Sequence, residues 1–211
     1  MIFIPLTLFI FVFILIFSGI FFTLWLLGAI PFAFTKIGIT PTSAITLYLL
    51  SFFGSLINIP LTRKRDVFIR RFYWFAIPEV RETIIAVNLG GAVIPVALSL
   101  LILSKIDAAR CVIPTLVMAV ISKGLTRVVP GRGFMMPAFI PPILATLLAY
   151  AFYPEYPAAC AYVSGTLGVL IGADLMNLHR VKDLRSTFVS IGGAGVFDGI
   201  FLTGIISALL S

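Results

Sequence analysis

Two aspartates lie inside the most apolar part of the chain and are its strongest candidates for chemistry. Asp174 stands in the run Gly-Ala-Asp-Leu and Asp198 in Gly-Val-Phe-Asp-Gly, whereas the other six acidic residues fall in or beside predicted loops. An aspartate at the centre of a membrane-spanning helix costs about 2.5–3.5 kcal/mol on insertion scales, so such residues are rare and usually functional. Two carboxylates that meet cannot both ionise, and a shared proton lets one activate a water while the other acts as the acid. The residue types therefore predict an acid–base pair or a site for a proton or cation.

The composition is that of an integral membrane protein. Of 211 residues, 61% are hydrophobic and only 11% are charged, against about 25% charged in a soluble domain. Runs of about 20 apolar residues span a hydrocarbon core of about 30 Å, and the chain has room for about seven. We therefore predict an all-α, polytopic transmembrane helix bundle in a single domain, residues 1–211, in the cytoplasmic membrane. The two cysteines, Cys111 and Cys160, are expected to be buried small hydrophobic residues.

Seven helices are predicted from the apolar runs and from the Pro, Gly and charged residues between them. They are a retained helix Ile2–Ile30 closed by Pro31, then Thr42–Ile59, Ile84–Leu103 and Ala109–Val129, a fifth that ends near Tyr153, and two within Val163–Ser211. Twelve of the fifteen basic residues fall in the second, fourth and sixth loops, so the positive-inside rule makes the N-terminus cytoplasmic. In that orientation Asp174 lies near the cytoplasmic end of helix six, and Asp198 enters helix seven from the same side.

The second loop, residues 61–83, is the longest polar stretch and is both basic and aromatic. Its residues of these two kinds are Arg63, Lys64, Arg65, Arg70, Arg71 and Arg81, and Phe68, Phe72, Tyr73, Trp74 and Phe75. Basic residues interleaved with aromatics are typical of a segment at the headgroup level of an anionic membrane. We predict a cytoplasmic interfacial loop that contacts anionic lipid, in preference to a nucleic-acid surface.

Glycines and prolines mark where helices approach closely or break. Gly165, Gly168 and Gly172 form a small-residue stripe, and Gly195 and Gly199 bracket Asp198, as expected where helix backbones pack closely in a membrane. The run 130–142 is dense in Pro and Gly and predicts either a plain loop or a segment that dips into a protein-lined cavity. A four-residue echo, Leu-Gly-Gly-Ala at 89–92 and Ile-Gly-Gly-Ala at 191–194, is too short to indicate duplication.

The segment around Asp198 resembles the GxGD signature of the polytopic aspartyl proteases, the presenilin and signal-peptide-peptidase relatives. Gly195 and Asp198 match the first glycine and the aspartate, and Phe197 stands where the second glycine belongs. The resemblance implies that Asp174 is the partner aspartate. Pro137-Ala138-Phe139 resembles the Pro-Ala-Leu motif of that family but precedes both aspartates, whereas in presenilins the motif follows them. The C-terminal third also resembles a family of uncharacterised prokaryotic membrane proteins of similar length.

The leading functional expectation is an intramembrane aspartyl protease-like hydrolase that cleaves a transmembrane peptide substrate. Asp174 and Asp198 would be catalytic and would share a proton. The residues expected to shape or border the substrate cleft are Gly172, Gly195, Gly199, Pro137, Ala138 and Phe139.

The alternative is a proton- or cation-coupled transporter or channel that uses the same aspartates. Asn58, Asn88, Ser164 and Thr203 could supply further oxygens, and so small a transporter would be a homo-oligomer. No cofactor or metal is predicted, because Asp174, Asn177 and His179 lack the second histidine or cysteine cluster that a zinc site needs.

Overall fold

A computed structural model describes residues 13, 15–19, 28–72, 74–131, 133–193 and 199–211. Most of these residues are helical, but the expectation of an all-α fold is wrong, because five strands form two sheets. The helices are α1 (Gly28–Lys36), α2 (Pro41–Gly54), α3 (Ile94–Leu103), α4 (Ala108–Leu125), α5 (Ile140–Phe152), α6 (Pro157–Val169) and α7 (Gly199–Leu210). The strands are β1 (Asn58–Phe72), β2 (Phe75–Asn88), β3 (Arg127–Val129), β4 (Gly133–Met135) and β5 (Phe188–Ile191).

Three tighter or wider helical segments complete the described chain. A π-helical turn, Leu89–Val93, precedes α3, and a second, Leu170–Asp174, extends α6. A 3-10 helix, Leu175–Leu184, follows the second π turn without a break. Irregular segments of this kind within helices often mark functional sites.

Two helices of the described chain are long and apolar enough to cross a membrane, Ala108–Leu125 and Pro157–Leu184. A third span is possible if α1 and α2, which meet at 116°, are taken as one broken helix. Three further apolar helices are shorter: Leu89–Leu103, Ile140–Phe152 and Gly199–Leu210. Most of the predicted first span lies outside the described residues, and Pro31 does not close a helix there. It lies within α1, which continues to Lys36.

Helix α6 is the centre of the bundle and packs against α3, α4, α5 and α7. The predicted small-residue stripe is what allows this. A methyl group added at Gly168 would lie 2.4 Å from the Cβ of Met118 on α4, and one at Gly165 would lie 3.1 Å from the Ser207 Oγ on α7. Without a polar solvent, such close packing of small residues drives helix association in membranes. Cys111 and Cys160 are both buried free thiols, as expected.

Residues 61–83 are a β-hairpin rather than a loop. β1 and β2 pair antiparallel from Asn58↔Asn88 to Phe72↔Phe75, with one irregularity between Pro60 and Thr62. The segment is rich in Val, Ile, Phe and Thr, residues that favour strands, and pairing between strands accommodates its charged residues as well. The strand continues through Ile84 to Asn88, so the predicted third helix begins later, at the π turn.

β5 pairs parallel to β2, from Ile84↔Phe188 to Val87↔Ile191, and completes a three-stranded sheet in the order β1-β2-β5. It occupies the start of the predicted seventh helix. The run 130–142 is not simply a loop or a segment that enters a cavity. It includes β4, which forms a short hairpin with β3, and the start of α5 at Ile140. Gly131 (φ 75°) and Gly133 (φ 109°) supply the left-handed backbone that this tight hairpin requires.

The segments that connect the helices lie in two groups at opposite ends of the bundle. At one end, the Lys36 Nζ donates to the Leu209 carbonyl at 2.9 Å, so the α1–α2 connection lies beside the C-terminal end of α7. At the same end, Arg110 of α4 pairs with Glu155 of the α5–α6 turn at 2.9 Å.

The other end gathers the sheet, the β3–β4 hairpin and the 3-10 helix. The Gly131 N–H donates to the Leu184 carbonyl at 2.9 Å, and the Thr83 hydroxyl donates to the Ser186 carbonyl at 2.8 Å. These are the second, fourth and sixth connections, in which the basic residues concentrate. The alternation of connections assumed in the charge argument is therefore present in the fold.

Candidate functional site

Two glycine pairs meet where parallel strands end and helices begin. β2 ends at Asn88 and is followed by Gly90-Gly91 in the π turn that leads into α3. β5 ends at Ile191 and is followed by Gly192-Gly193, and α7 begins at Gly199. Because β2 and β5 run parallel and side by side, the two turns lie next to each other. We call these the first and second glycine turns.

The backbones of the two turns touch. A Cβ at Gly91 would lie 1.9 Å from the Gly192 carbonyl oxygen, and one at Gly192 would lie 2.6 Å from the Ala92 Cβ. Gly192 also has a φ of 80°, which other residues rarely adopt. The short sequence echo therefore places two Gly-Gly pairs in contact, offset by two residues in the strand register. Their backbones differ, because Gly90-Gly91 is π-helical and Gly192-Gly193 has positive φ angles.

The first turn is held by Asn88, whose side chain is fully buried. Its Oδ1 accepts the Gly91 N–H at 2.7 Å, and its Nδ2 donates to the Ser55 carbonyl at 2.6 Å and to the Asn58 Oδ1 at 3.1 Å. The Ser190 hydroxyl donates to the same Asn58 oxygen at 2.6 Å. A chain of polar groups thus links β1, β2 and β5, in keeping with the rule that buried polar groups are hydrogen-bonded.

The second turn is held by Asp174, the last residue of the π turn that extends α6. The Asp174 Oδ2 accepts the Gly192 N–H at 2.9 Å, and the residue is half-buried. Three residues on, Asn177 is buried and its Nδ2 donates to the carbonyls of Gly172 and Ala173, at 3.0 and 3.1 Å. A π turn leaves such carbonyls without their usual helical partners, so the Asn177 amide stabilises the segment that presents Asp174. His179 is exposed, and Asn177 is committed to these carbonyls.

Gly172 lies against α4. A Cβ there would be 2.1 Å from the Ala119 carbonyl oxygen and 2.9 Å from the Ser122 Cβ. Its contact is therefore helix packing, which brings the π turn of Asp174 against α4. The Ser122 hydroxyl beside it is buried with no hydrogen-bond partner among the described residues.

The second predicted aspartate and Gly195 belong to residues 194–198, outside the described residues. Gly199 is the first residue of α7, exposed and with open space around its Cα. Asp198 follows Gly192 by six positions, and at most about 3.6 Å per residue this is a reach of roughly 20 Å.

Pro137, Ala138 and Phe139 are exposed and connect β4 to α5. The preceding Met136 packs against a core cluster that includes Ala173 and Ile200. The described contacts do not bring Pro137, Ala138 or Phe139 themselves to Asp174.

Asn88 has a larger structural role than the sequence predicts. The sequence predicts it only as one of four possible oxygen donors for transport, together with Asn58, Ser164 and Thr203. Asn88 and Asn58 meet in the chain of polar groups, whereas Ser164 and Thr203 are buried in the α6 and α7 helices. The signal that could have singled out Asn88 is its place immediately before Leu-Gly-Gly, since Asn is favoured where a helix begins.

The chain belongs to a family described as a protein of unknown function (DUF1614), whose model matches residues 52–210. The match covers the sheet, both glycine turns and every helix from α3 to α7. No curated protein and no solved structure matches the chain.

Proposed function

We propose that this member of the family is a multi-pass protein of the cytoplasmic membrane that binds a proton or small cation at Asp174 and moves it across the bilayer. The observation that carries the proposal is the contact between the two glycine turns. There, two segments change from strand to helix inside a bundle of apolar helices. Asp174 holds one of these turns directly.

The depth of the turns supports this assignment. The helix Leu89–Leu103 after the first turn has 15 residues. At 1.5 Å per residue it is about 22 Å long, shorter than the roughly 30 Å hydrocarbon core. If this helix ends at the far membrane face, the first turn and the second turn in contact with it lie within the hydrocarbon layer.

Irregular backbone at that depth is tolerated only when it is buried in protein or lines a water-filled cavity. In secondary transporters, helices broken in this way form the midplane sites for substrates and coupling ions. Asp174 has the chemistry for such a site, because a carboxylate inside a bundle binds a proton or a cation far more readily than any neighbouring apolar residue.

The basic connections assign an orientation. They gather at the sheet end of the bundle, so this end faces the cytoplasm by the positive-inside rule. The N-terminus is then cytoplasmic, and Asp174 is reached from the cytoplasmic side. A transporter of this size would work as a homo-oligomer.

The test is an ion-flux measurement on the purified chain in proteoliposomes, using a trapped pH-sensitive dye and, separately, radioactive sodium and potassium. We expect flux above that of empty liposomes, and we expect Asp174→Asn to abolish it. Asp183→Asn is the matched control, since Asp183 is an exposed carboxylate on the adjoining 3-10 helix, 3.9 Å from Arg180. Flux that is equal in wild type and Asp174→Asn would overturn the proposal.

A second function, hydrolysis by an aspartate pair, has one observation in its favour. Asp174 hydrogen-bonds the turn from which the chain runs on to Asp198 within six residues. That tether limits how far apart the two carboxylates can be. The intramembrane protease hypothesis therefore keeps Asp174 and Asp198 as catalytic residues, with a transmembrane peptide as substrate.

The two functions separate in one experiment. Wild type, Asp174→Asn, Asp198→Asn and Asp183→Asn are incubated with a panel of transmembrane peptides in detergent and in liposomes, and fragments are identified by mass spectrometry. Cleavage lost in both Asp174→Asn and Asp198→Asn but kept in Asp183→Asn would support hydrolysis. Intact peptides together with Asp174-dependent ion flux would support transport.

A further inference from the structure

Among the residues that the structure describes, no third strand pairs with the outer part of the β1–β2 hairpin. β5 pairs with β2 only over Ile84–Val87, and the ladder then continues from Asp66↔Arg81 to Phe72↔Phe75 with β1 and β2 alone among the described residues. We call residues 66–81 the outer ribbon. Its seven pairs extend roughly 24 Å at about 3.4 Å per residue.

A two-stranded ribbon of this length is marginally stable alone in water and needs a surface to pack on. Val80, an apolar residue of the outer ribbon, is 62% exposed.

The tip of the ribbon presents a large aromatic residue to its surroundings. Trp74 is 92% exposed, and its neighbours in sequence are Tyr73 and Phe75. Tryptophan and tyrosine prefer the membrane–water interface, where one side of the ring is apolar and the other is wet. An exposed tryptophan at the end of an unpartnered ribbon therefore favours a lipid surface.

Charge indicates the kind of lipid. Residues 61–83 hold six basic side chains and three acidic ones, Asp66, Glu79 and Glu82. Of the acidic side chains, Glu82 is paired with Arg65. The remaining positive excess attracts an anionic headgroup layer, and each basic residue near such a surface adds to the attraction.

A second copy of this chain is a poorer partner for the outer ribbon. Pro78 has no N–H to donate to a pairing strand, and Pro60 on β1 lacks one too. Prolines and like charges on ribbon edges are devices that prevent edge-to-edge pairing. The two net-positive ribbons would also repel each other.

The position of the ribbon in the fold agrees with this partner. It projects from the same end of the bundle as the other basic connections, and its base, Asn58↔Asn88, adjoins the first glycine turn. Asp66 lies eight positions along β1 from Asn58 at that base, so the outer ribbon begins roughly 27 Å along the strand from it. A tilted strand of this length reaches from within the hydrocarbon layer to the headgroups.

We propose that the outer ribbon lies on the anionic headgroup layer of the membrane in which the chain is embedded, with Trp74 at the acyl boundary. This surface is separate from Asp174 and does not depend on ion transport or peptide hydrolysis. It gives the protein a built-in contact with anionic lipid beside the cytoplasmic end of the bundle.

The experiment places the full chain in lipid nanodiscs and measures the fluorescence of Trp74. The chain has two tryptophans, Trp25 and Trp74, so the Trp25→Phe background leaves Trp74 as the only reporter. Nanodiscs contain phosphatidylcholine alone or with phosphatidylglycerol, and the acyl chains carry bromine as a contact quencher. We expect quenching several-fold stronger with phosphatidylglycerol present, and protection from iodide in the water.

Two double variants test the charge argument. Arg70→Gln with Arg71→Gln should raise the share of phosphatidylglycerol needed for half-maximal quenching several-fold. The matched control, Lys182→Gln with Arg185→Gln in another basic connection at the same end of the bundle, should leave it unchanged. If the Trp25→Phe background fails to fold, Trp74→Cys labelled with an environment-sensitive dye reports the same contact, because Cys111 and Cys160 are buried.

Two results would overturn the proposal. Trp74 that is quenched by iodide and not by brominated lipid in both nanodiscs places the ribbon in water. If Trp74 is protected from both quenchers, and light scattering shows two chains in each particle, the outer ribbon contacts a second copy of the chain.

Discussion

The two glycine turns touch, but they differ in backbone conformation and are held by different chemistry. Gly90 and Gly91 are π-helical, whereas Gly192 and Gly193 have positive φ angles. The first is fastened by Asn88, a neutral amide that is fully buried and makes three hydrogen bonds. The second is fastened by Asp174, a half-buried group that can gain or lose a proton. A buried, satisfied amide has one state, and removing it leaves unpaired polar groups. A carboxylate has two states, charged and neutral. We infer that the first turn is a fixed support and that the second turn is where a change of charge acts.

The contact between the turns should be the most sensitive point of the fold. Gly192→Ala forces a Cβ to 2.6 Å from the Ala92 Cβ at a φ of 80°, so we expect a loss of about 3 kcal/mol or more in unfolding free energy. Thermal unfolding in detergent, followed by circular dichroism, measures it. Gly124→Ala is the control: it lies in α4 with open space around it and should be neutral or stabilising by roughly 0.5–1 kcal/mol. Equal melting temperatures for the two variants would show that the turns do not touch.

Asn88→Ala should come next. It removes the acceptor of the Gly91 N–H and the donor to the Ser55 carbonyl, and it leaves both unsatisfied in a buried place. We expect about 2–3 kcal/mol of lost stability, measured in the same detergent assay. Asn58→Ala is the comparison, because the Asn58 Oδ1 accepts hydrogen bonds from Asn88 and Ser190 but Asn58 caps no turn. An Asn88→Ala protein as stable as wild type would contradict the role of this side chain as the fixed support.

Gly172→Ala tests whether that glycine packs or shapes a substrate cleft. With the Ala119 carbonyl oxygen 2.1 Å from the added carbon, α6 must move from α4, and we expect a loss of roughly 1–3 kcal/mol. Gly199→Ala, where no atom lies within 4 Å of the added carbon, should leave stability nearly unchanged. If Gly172→Ala instead keeps full stability and alters only activity, the glycine belongs to a cleft.

Asp174 should be less important for stability than Asn88 and more important for function. Asp174→Asn keeps an oxygen to accept the Gly192 N–H, so we expect less than about 1 kcal/mol of change in stability together with complete loss of ion flux. Asp174→Ala removes the acceptor and should cost about 1 kcal/mol more than Asn. Stability lost equally in the Asn and Ala variants would mean that the charge itself, and not the hydrogen bond, holds the turn.

The smallest effect is expected at the opposite end of the bundle. The pKa of the Glu155 carboxyl is lowered by a hydrogen bond from its own backbone N–H and by the Arg110 guanidinium. A lowered pKa in the folded state gives stability that is present above the ordinary Glu pKa and is lost as the pH falls through the folded value. Glu155→Gln should therefore slightly flatten the fall in melting temperature below about pH 4.5 and leave melting at neutral pH almost unchanged. Because the pair is exposed and far from both turns, ion flux should not respond.

Some features of the fold were accessible from the sequence because they depend on local composition. The apolar runs indicated a membrane protein, and the stripe Gly165, Gly168 and Gly172 indicated close helix packing, which the α4–α6 contact confirms. The alternation of basic and non-basic connections also follows from counting residues. The hairpin does not follow from composition, because a charged run favours a loop, although cross-strand pairing can satisfy a charged strand as well as an apolar one.

What the sequence determined by itself is the medium, the helix-forming segments and the rarity of Asp174 and Asp198 in an apolar setting. These follow from transfer energies, which each residue carries regardless of its partners. Only the tertiary structure decided that β2 and β5 run side by side, that Gly91 meets Gly192, and that Asp174 fastens the second turn. These contacts join residues that are far apart in the sequence or that lie in different elements. Their geometry depends on strand register and helix packing rather than on any local pattern.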